Sequence, residues 1–232
     1  ASTLRRHYDV FAEGFEGTNA LVAFAVKALS NVAVLSLLGQ RGAGADIVSG
    51  GELFRALQAG VPAEKIVFSG VGKTRDEMAA ALNASILQFN VESEAELEQL
   101  ADIASAMGVS APVALRVNPD VDAGTDTRIS TGRRSDKFGV PWTRAERLYA
   151  MASAHPSLSP RGIAMHIGSQ ITSLVPFEKA ASRGVEMIHR LRSAGHEVLS
   201  LDLGGGLGIP YRQDGDVPPL PSEYARIIRR IT

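Results

Sequence analysis

A lysine ends the short apolar run Leu21–Val26 in LVAFAVKALSN. Lysine is seldom fully buried without a partner, and one at the mouth of a parallel barrel points where such barrels do chemistry. Lys27 could be a solvated strand terminus, or an amine that forms a Schiff base with a carbonyl cofactor or substrate. Polar groups recur where later apolar runs end: Asp46 with Ser49 and Glu52, then Arg116, then His166 with Ser169, then Gly204-Gly205-Gly206. Backbone N–H groups of a glycine run can close on an anion as a nest, and the loop after a seventh barrel strand is a frequent phosphate site. The same glycines could simply make a tight turn. His166 could be a hydrogen-bonded core residue or a flat ring stacked on an aromatic cofactor. No H-x-x-H or H-E-x-x-H spacing points to a metal. Arg116 could pair with a carboxylate such as Asp202. Asp46 and Glu52 could be ordinary strand-end charges, and Ser49 and Ser169 could cap helices.

Two imitators fail on spacing. SGVGKT resembles a phosphate-binding P-loop, but Val67 stands where the first glycine belongs. GGGLG misses the dinucleotide fingerprint because Ile209 occupies its third glycine position.

The elements that must carry these residues follow from periodicity. Seven short apolar runs read as strands: Leu21–Val26, ADIVS, KIVFSG, ILQFNV, PVALRV, GIAMHI and VLSLDLGGG. Helical patterns fall over Ser2–Phe15, Asn31–Gln40, Gly50–Ala59, Thr74–Asn83, from Ser93 with a capping box to Glu96, Thr143–Ala154, Pro176–Ser193 and Ser222–Ile231. A long polar stretch, 118–137, separates the fifth strand from its helix. Strand then helix, repeated with short links, indicates parallel βα units. Both a (β/α)₈ barrel and a doubly wound sheet satisfy the pattern, and a barrel needs an eighth strand to close. That strand would fall after Thr232. The chain starts without Met and stops within a helical pattern, so a segment of something longer is expected.

Composition narrows the function. With 24 basic and 25 acidic residues and no basic run, neither nucleic acid nor an acidic membrane surface is an expected partner. The absence of cysteine excludes a disulfide framework, a thiolate zinc site and a thiol nucleophile within these residues. No apolar run approaches a membrane span and no secretory pattern opens the chain, so a cytoplasmic protein is expected.

The ordered motifs AVKALSN, GADIVSGGEL, VFSGVGKT, FNVESEAEL, LRVNPDVDAGTDTRISTG, DKFGV, MHIGSQ and LDLGGGLGIPY resemble those of the diaminopimelate decarboxylases. These are pyridoxal 5'-phosphate enzymes of the alanine-racemase-like barrel group. The resemblance implies an α/β fold, a (β/α)₈ TIM-type barrel represented by seven βα units over residues 1–232. It also implies that the last strand and a C-terminal β-domain, with the pyridinium-pairing carboxylate and the residues shared across a homodimer, lie outside the chain. By resemblance, Lys27 holds the cofactor covalently, His166 stacks on its ring, and Gly204, Gly205, Gly206 and Ser169 bind its phosphate. Asp46, Glu52 and Arg116 are implied to lie beneath or beside it. The implied reaction removes carbon dioxide from meso-2,6-diaminopimelate to give L-lysine, the chain alone being a poor catalyst. A pyridoxal phosphate carrier without decarboxylase activity and a regulatory homologue remain as alternatives. Leu29 stands where the family usually has Asn, and Asp126 where it often has His.

Overall fold

The computed structural model describes residues 1–123, 131–132, 138–210 and 217–232. They group into two compact units: Ala1–Ala114 with Ala152–Ser159, and Leu115–Met151 with Pro160–Thr232. Asp126 lies outside the described residues.

The first unit repeats strand and helix. After α1 (Ser2–Glu13) come β1 (Ala23–Ala25), a 3-10 turn at Val26–Ala28, α2 (Val32–Gly39), β2 (Gly44–Ile47), α3 (Gly50–Gln58), β3 (Ile66–Phe68), α4 (Arg75–Asn83), β4 (Gln88–Val91), α5 (Glu94–Met107) and the first half of β5 (Ala111–Asn118). β1, β2, β3 and β4 pair in that order, all parallel. Ala25 pairs with Asp46, Asp46 with Val67 and Val67 with Gln88, a constant step along the chain. Successive helices pack side by side, α1 on α2 through to α4 on α5. Val26 and the strand residues pointing toward the helices (Ala45, Ile47, Ile66, Phe68, Phe89, Val91) form one buried cluster with Leu35, Leu53, Met78, Leu82, Leu97 and Leu100.

Local side chains start these helices. Asn31 accepts from the N–H groups of Ala33 and Val34, and Ser49 from that of Glu52. Thr74 and Glu77 form a reciprocal capping box. Glu77 reaches further, accepting from Gly50 N–H at 2.8 Å and so tying α4 to the start of α3. The box expected from Ser93 to Glu96 is only half made. Ser93 accepts from Glu96 N–H, but the Glu96 carboxylate turns to Glu92 N–H at 3.0 Å and to the Lys73 ammonium at 2.6 Å. A buried cation outcompetes a backbone amide for that oxygen.

Lys73 is the lysine of the false P-loop. Its side chain is 0% exposed, and its Nζ also donates to the carbonyls of Gly70 at 2.7 Å and Asn90 at 2.8 Å. Three acceptors saturate its three protons. Burial pushes the Glu96 carboxyl upward while Lys73 opposes that shift.

The second unit holds the rest of β5, β6 (Val140–Pro141), most of α6 (Ala145–Ala154), most of β7 (Leu158–Ala164), α7 (Val175–Ser193), β8 (Ser200–Asp202) and α8 (Pro221–Ile231). β6 pairs parallel with β5, and β7 with β8. Two residues of pairing at β6 are too short to show as a period in the sequence, which reads there as loop. Leu115, Val117, Ile163 and Met165 build the core with Leu148, Tyr149, Met187 and Leu191. Gly184 lets α7 settle onto this layer, since a Cβ there would press on Met165 and Leu201. Among the described residues, no helix is long and apolar enough to cross a membrane.

Two outcomes follow from these ties. Lys73→Met leaves the Glu96 carboxylate buried without its cation, so equilibrium urea unfolding should lose about 3–5 kcal/mol. Adding Glu96→Leu should restore much of it. The Gly50 N–H, then Thr74, hold the Glu77 carboxyl below its ordinary range. A depressed folded-state value stabilises above the unfolded value and is lost as pH falls through the folded one. Glu77→Gln should therefore lower stability at neutral pH and flatten its loss across the acid carboxylate range, read by urea midpoints against pH.

Candidate functional site

In a strand, alternate side chains face opposite sides. In the first unit, the face away from the helices carries Ala23 and Ala25 on β1, Asp46 on β2, Val67 on β3 with Ser69 after it, and Gln88 and Asn90 on β4. A lateral chain of hydrogen bonds crosses three strands there. Ser69 Oγ donates to Asp46 Oδ1 at 2.6 Å, Asn90 Nδ2 donates to Ser69 Oγ at 3.1 Å, and Gln88 Nε2 donates to Asn90 Oδ1 at 2.9 Å. Gln88 and Asn90 are buried, so their amides depend on these partners. The chain fixes the Asp46 carboxylate from one side.

Lys27 sits in the 3-10 turn that follows β1, exposed. Among the described residues its amine has neither a hydrogen bond nor an ion pair. Leu29, just beyond, is extended and about half exposed, and its N–H donates to Val26 O. Glu52 has a different placement from the other candidates. It lies in the first turn of α3, and its Oε2 accepts from Val48 N–H at 2.7 Å. That bond, with Ser49 capping the same turn, gives it a helix-starting role. Ser49 is likewise a cap, as the sequence allowed.

In the second unit the alternation places Arg116 on β5, His166 after β7, and Asp202 on β8 with Gly204 after it on the polar face. Their neighbours Leu115, Val117, Met165, Leu201 and Leu203 face the helices. The Arg116 guanidinium lies 5.2 Å from the Phe138 ring centroid. Thr131 Oγ1 donates to the His166 carbonyl at 2.8 Å, fixing the backbone that carries the ring. Ser169 is exposed one residue after Gly168.

The glycine run follows β8. Gly204, Gly205 and Gly206 have φ of 68°, 69° and 106°, a left-handed path that side-chain-bearing residues resist. A Cβ on Gly204 would collide with the Met165 carbonyl and crowd the His166 ring, and one on Gly206 would collide with the Gly168 carbonyl. A Cβ on Gly205 would meet nothing. Gly204 N–H donates to Asp202 Oδ1 at 2.9 Å. Among the described residues, no acceptor takes the N–H groups of Gly205 and Gly206. Both residues therefore have backbone donors left over for a ligand.

Repeated parallel βα units in both parts of the chain define its class, an α/β domain. The family model described as "Pyridoxal-dependent decarboxylase, pyridoxal binding domain" matches residues 1–232, and the chain belongs to that family. It is 49% identical over 227 residues to the diaminopimelate decarboxylase of Zymomonas mobilis, covering 98% of this chain and 54% of that protein. It is 50% identical over 226 residues to the Pseudomonas aeruginosa diaminopimelate decarboxylase, covering 97% and 54%. The solved diaminopimelate decarboxylase of Helicobacter pylori, complexed with L-lysine, superposes with a TM-score of 0.96 at 37% identity, covering 99% of this chain and 58% of that one. The chain thus spans about half the length of the curated relatives it matches. The fold implied by the resemblance, a partial barrel of parallel strands and helices, is that of these relatives.

Taken unit by unit, the residues present fit the chemistry of pyridoxal phosphate. Among the described residues the first unit offers an unpaired amine at Lys27, and the second offers two unpaired N–H groups at Gly205 and Gly206, where a Cβ on Gly205 would meet nothing. Sequence reading missed Ser69, Gln88 and Asn90, although their alternation with Phe68, Phe89 and Val91 is a period-2 signal.

The glycine run yields a graded outcome. Gly205→Ala should cost about 1–2 kcal/mol for a left-handed side-chain-bearing residue and little else. Gly204→Ala and Gly206→Ala add collisions with backbone carbonyls and should lower the urea midpoint further. Gly204→Ala should also move the His166 imidazole resonances in a proton–nitrogen spectrum.

Proposed function

We propose that this chain is the cofactor-holding part of a decarboxylase that converts meso-2,6-diaminopimelate to L-lysine and carbon dioxide. The observation that carries this reading is the Lys27 amine, exposed at the end of β1 and unpaired among the described residues. The substrate assignment rests on likeness to diaminopimelate decarboxylases along nearly the whole chain, one of them complexed with L-lysine.

In this reading Lys27 Nζ holds the cofactor covalently, and the Gly205 and Gly206 amides, with Ser169, take its phosphate. His166 supplies the flat face against its ring, held by Thr131 at its carbonyl. When bound, pyridoxal phosphate supplies the electron sink for the pair left at Cα as carbon dioxide departs. With the cofactor bound, the Lys27 amine would be the group that holds and moves a proton for the substrate. Asp46, oriented by Ser69 and Asn90, contributes fixed negative charge near the cofactor, and Arg116 a fixed positive one. Glu52 supports the site through the first turn of α3. The whole protein is proposed to act in the cytoplasm as a homodimer on a small amino acid.

The test is chemical trapping. The chain mixed with pyridoxal phosphate and reduced with borohydride should carry one pyridoxyl group at Lys27, located by peptide mass, and show a visible absorbance band beforehand. Lys27→Ala should lose both. In the whole protein the same substitution should lower carbon dioxide release from diaminopimelate by about a thousandfold or more. A label on another lysine would sink the assignment. Label without decarboxylation by the whole protein would favour the carrier reading.

A further inference from the structure

Three glycines in succession lose more conformational freedom on ordering than any other three residues. A cradle built from them binds well only if something holds its shape beforehand, since ordering at the moment of binding weakens affinity. One end is held by Asp202, through its bond to Gly204 N–H. The other end is held by the turn after β7. Ile171 N–H donates to Gly206 O at 3.0 Å, and Gly208 N–H donates to Ile171 O at 3.0 Å. Gln170 completes this side. Its Oε1 accepts from Ile209 N–H at 2.9 Å, and its Nε2 donates to Ile209 O at 2.9 Å.

We propose that Gln170 is a positioning residue for phosphate binding, its carboxamide clamping both backbone groups of Ile209 so that the Gly205 and Gly206 amides stay aimed at one anion. The proposal rests on the reading that this loop takes the phosphate of pyridoxal phosphate. Two observations set Gln170 apart from an ordinary surface residue. Its φ is 56°, a left-handed conformation that Gly or Asn would adopt more cheaply. A glutamine is kept there at a backbone cost, and its side chain accounts for why. Only Asn and Gln carry a donor and an acceptor on one carboxamide, and Asn is one methylene shorter. Second, packing does little to hold Ile209 in place, because the residue is 58% exposed. The clamp acts on its backbone alone.

The test compares ligands with and without the phosphate. Apparent dissociation constants for pyridoxal phosphate and for pyridoxal are measured on the wild-type chain, Gln170→Ala and Gln170→Gly. Amide hydrogen exchange at Ile209 is followed in the cofactor-free chain. Losing two hydrogen bonds should weaken pyridoxal phosphate binding about tenfold in both variants. Pyridoxal binding should stay within about twofold, because it does not use the cradle. Exchange at Ile209 should quicken in both. Gln170→Gly relaxes the left-handed backbone while deleting the amide, so wild-type binding by that variant would overturn the clamp. Equal losses for both ligands, or unchanged exchange at Ile209, would also overturn it. If Gln170→Ala folds poorly, Gln170→Glu serves instead, keeping the length while losing the donor, with the same expectation. A wild-type chain that takes up neither ligand would refute the cofactor reading, and the exchange experiment would still decide the clamp.

Discussion

A parallel strand flanked by helices must turn one row of side chains toward them, and that row must be apolar. Everything else in this protein is arranged around the row that faces the other way. Phe24, Ile47, Phe68 and Phe89 belong to the helix-facing core of the first unit, and Leu115, Val117, Ile163 and Met165 to that of the second. Asp46, Ser69, Gln88 and Asn90, and separately Arg116, His166 and Asp202, occupy the alternate positions. Burial by the helices stabilises the strands at about 25 cal/mol per Å² of apolar surface, so the alternate row can carry polar groups without unfolding the sheet.

Those polar groups are not left to solvent. In the first unit, Gln88, Asn90 and Ser69 pass hydrogen bonds laterally to Asp46. Lateral bonding solves two problems with one set of groups. It satisfies buried amides that would each cost free energy unpaired, and it sets the direction of a carboxylate that ligand chemistry can use. Lys73 solves a neighbouring problem. The loop between β3 and α4 brings a carbonyl of its own and one from β4 close together, and the ammonium between them is neutralised by Glu96. That ion pair joins the β3–α4 loop to α5, and the bond to the Asn90 carbonyl ties the same ammonium to β4.

The second unit depends more on backbone. Its glycine run has no side chains, and its path is tied by Asp202, Ile171 and Gln170 at its edges. The close approach of Gly204 to His166 couples the run to the imidazole, because a single methyl group between them would push one away. Glycine is needed here for space as much as for its dihedral angles.

The sequence by itself determined the order of the strands and helices other than β6, because these are encoded by local periods and α2 to α5 each begin at a side-chain cap. Asn31, Ser49 and Thr74 act as the caps their types and positions indicate. It also marked Lys27, His166 and the glycine run, since a charge or a glycine ending an apolar run is visible without neighbours. Only the tertiary structure decided which polar residues have structural work. Ser93 and Glu96 read as a capping box until Lys73, 23 residues earlier, claims the carboxylate. Glu52 stands in the sequence as one more polar group after an apolar run, and only the fold shows its carboxylate on Val48 N–H. Gln170 reads as nothing in particular until Ile209 is brought beside it, 39 residues on. A hydrogen bond is satisfied by whichever partner the fold delivers, and that choice depends on distances in space that no local period records.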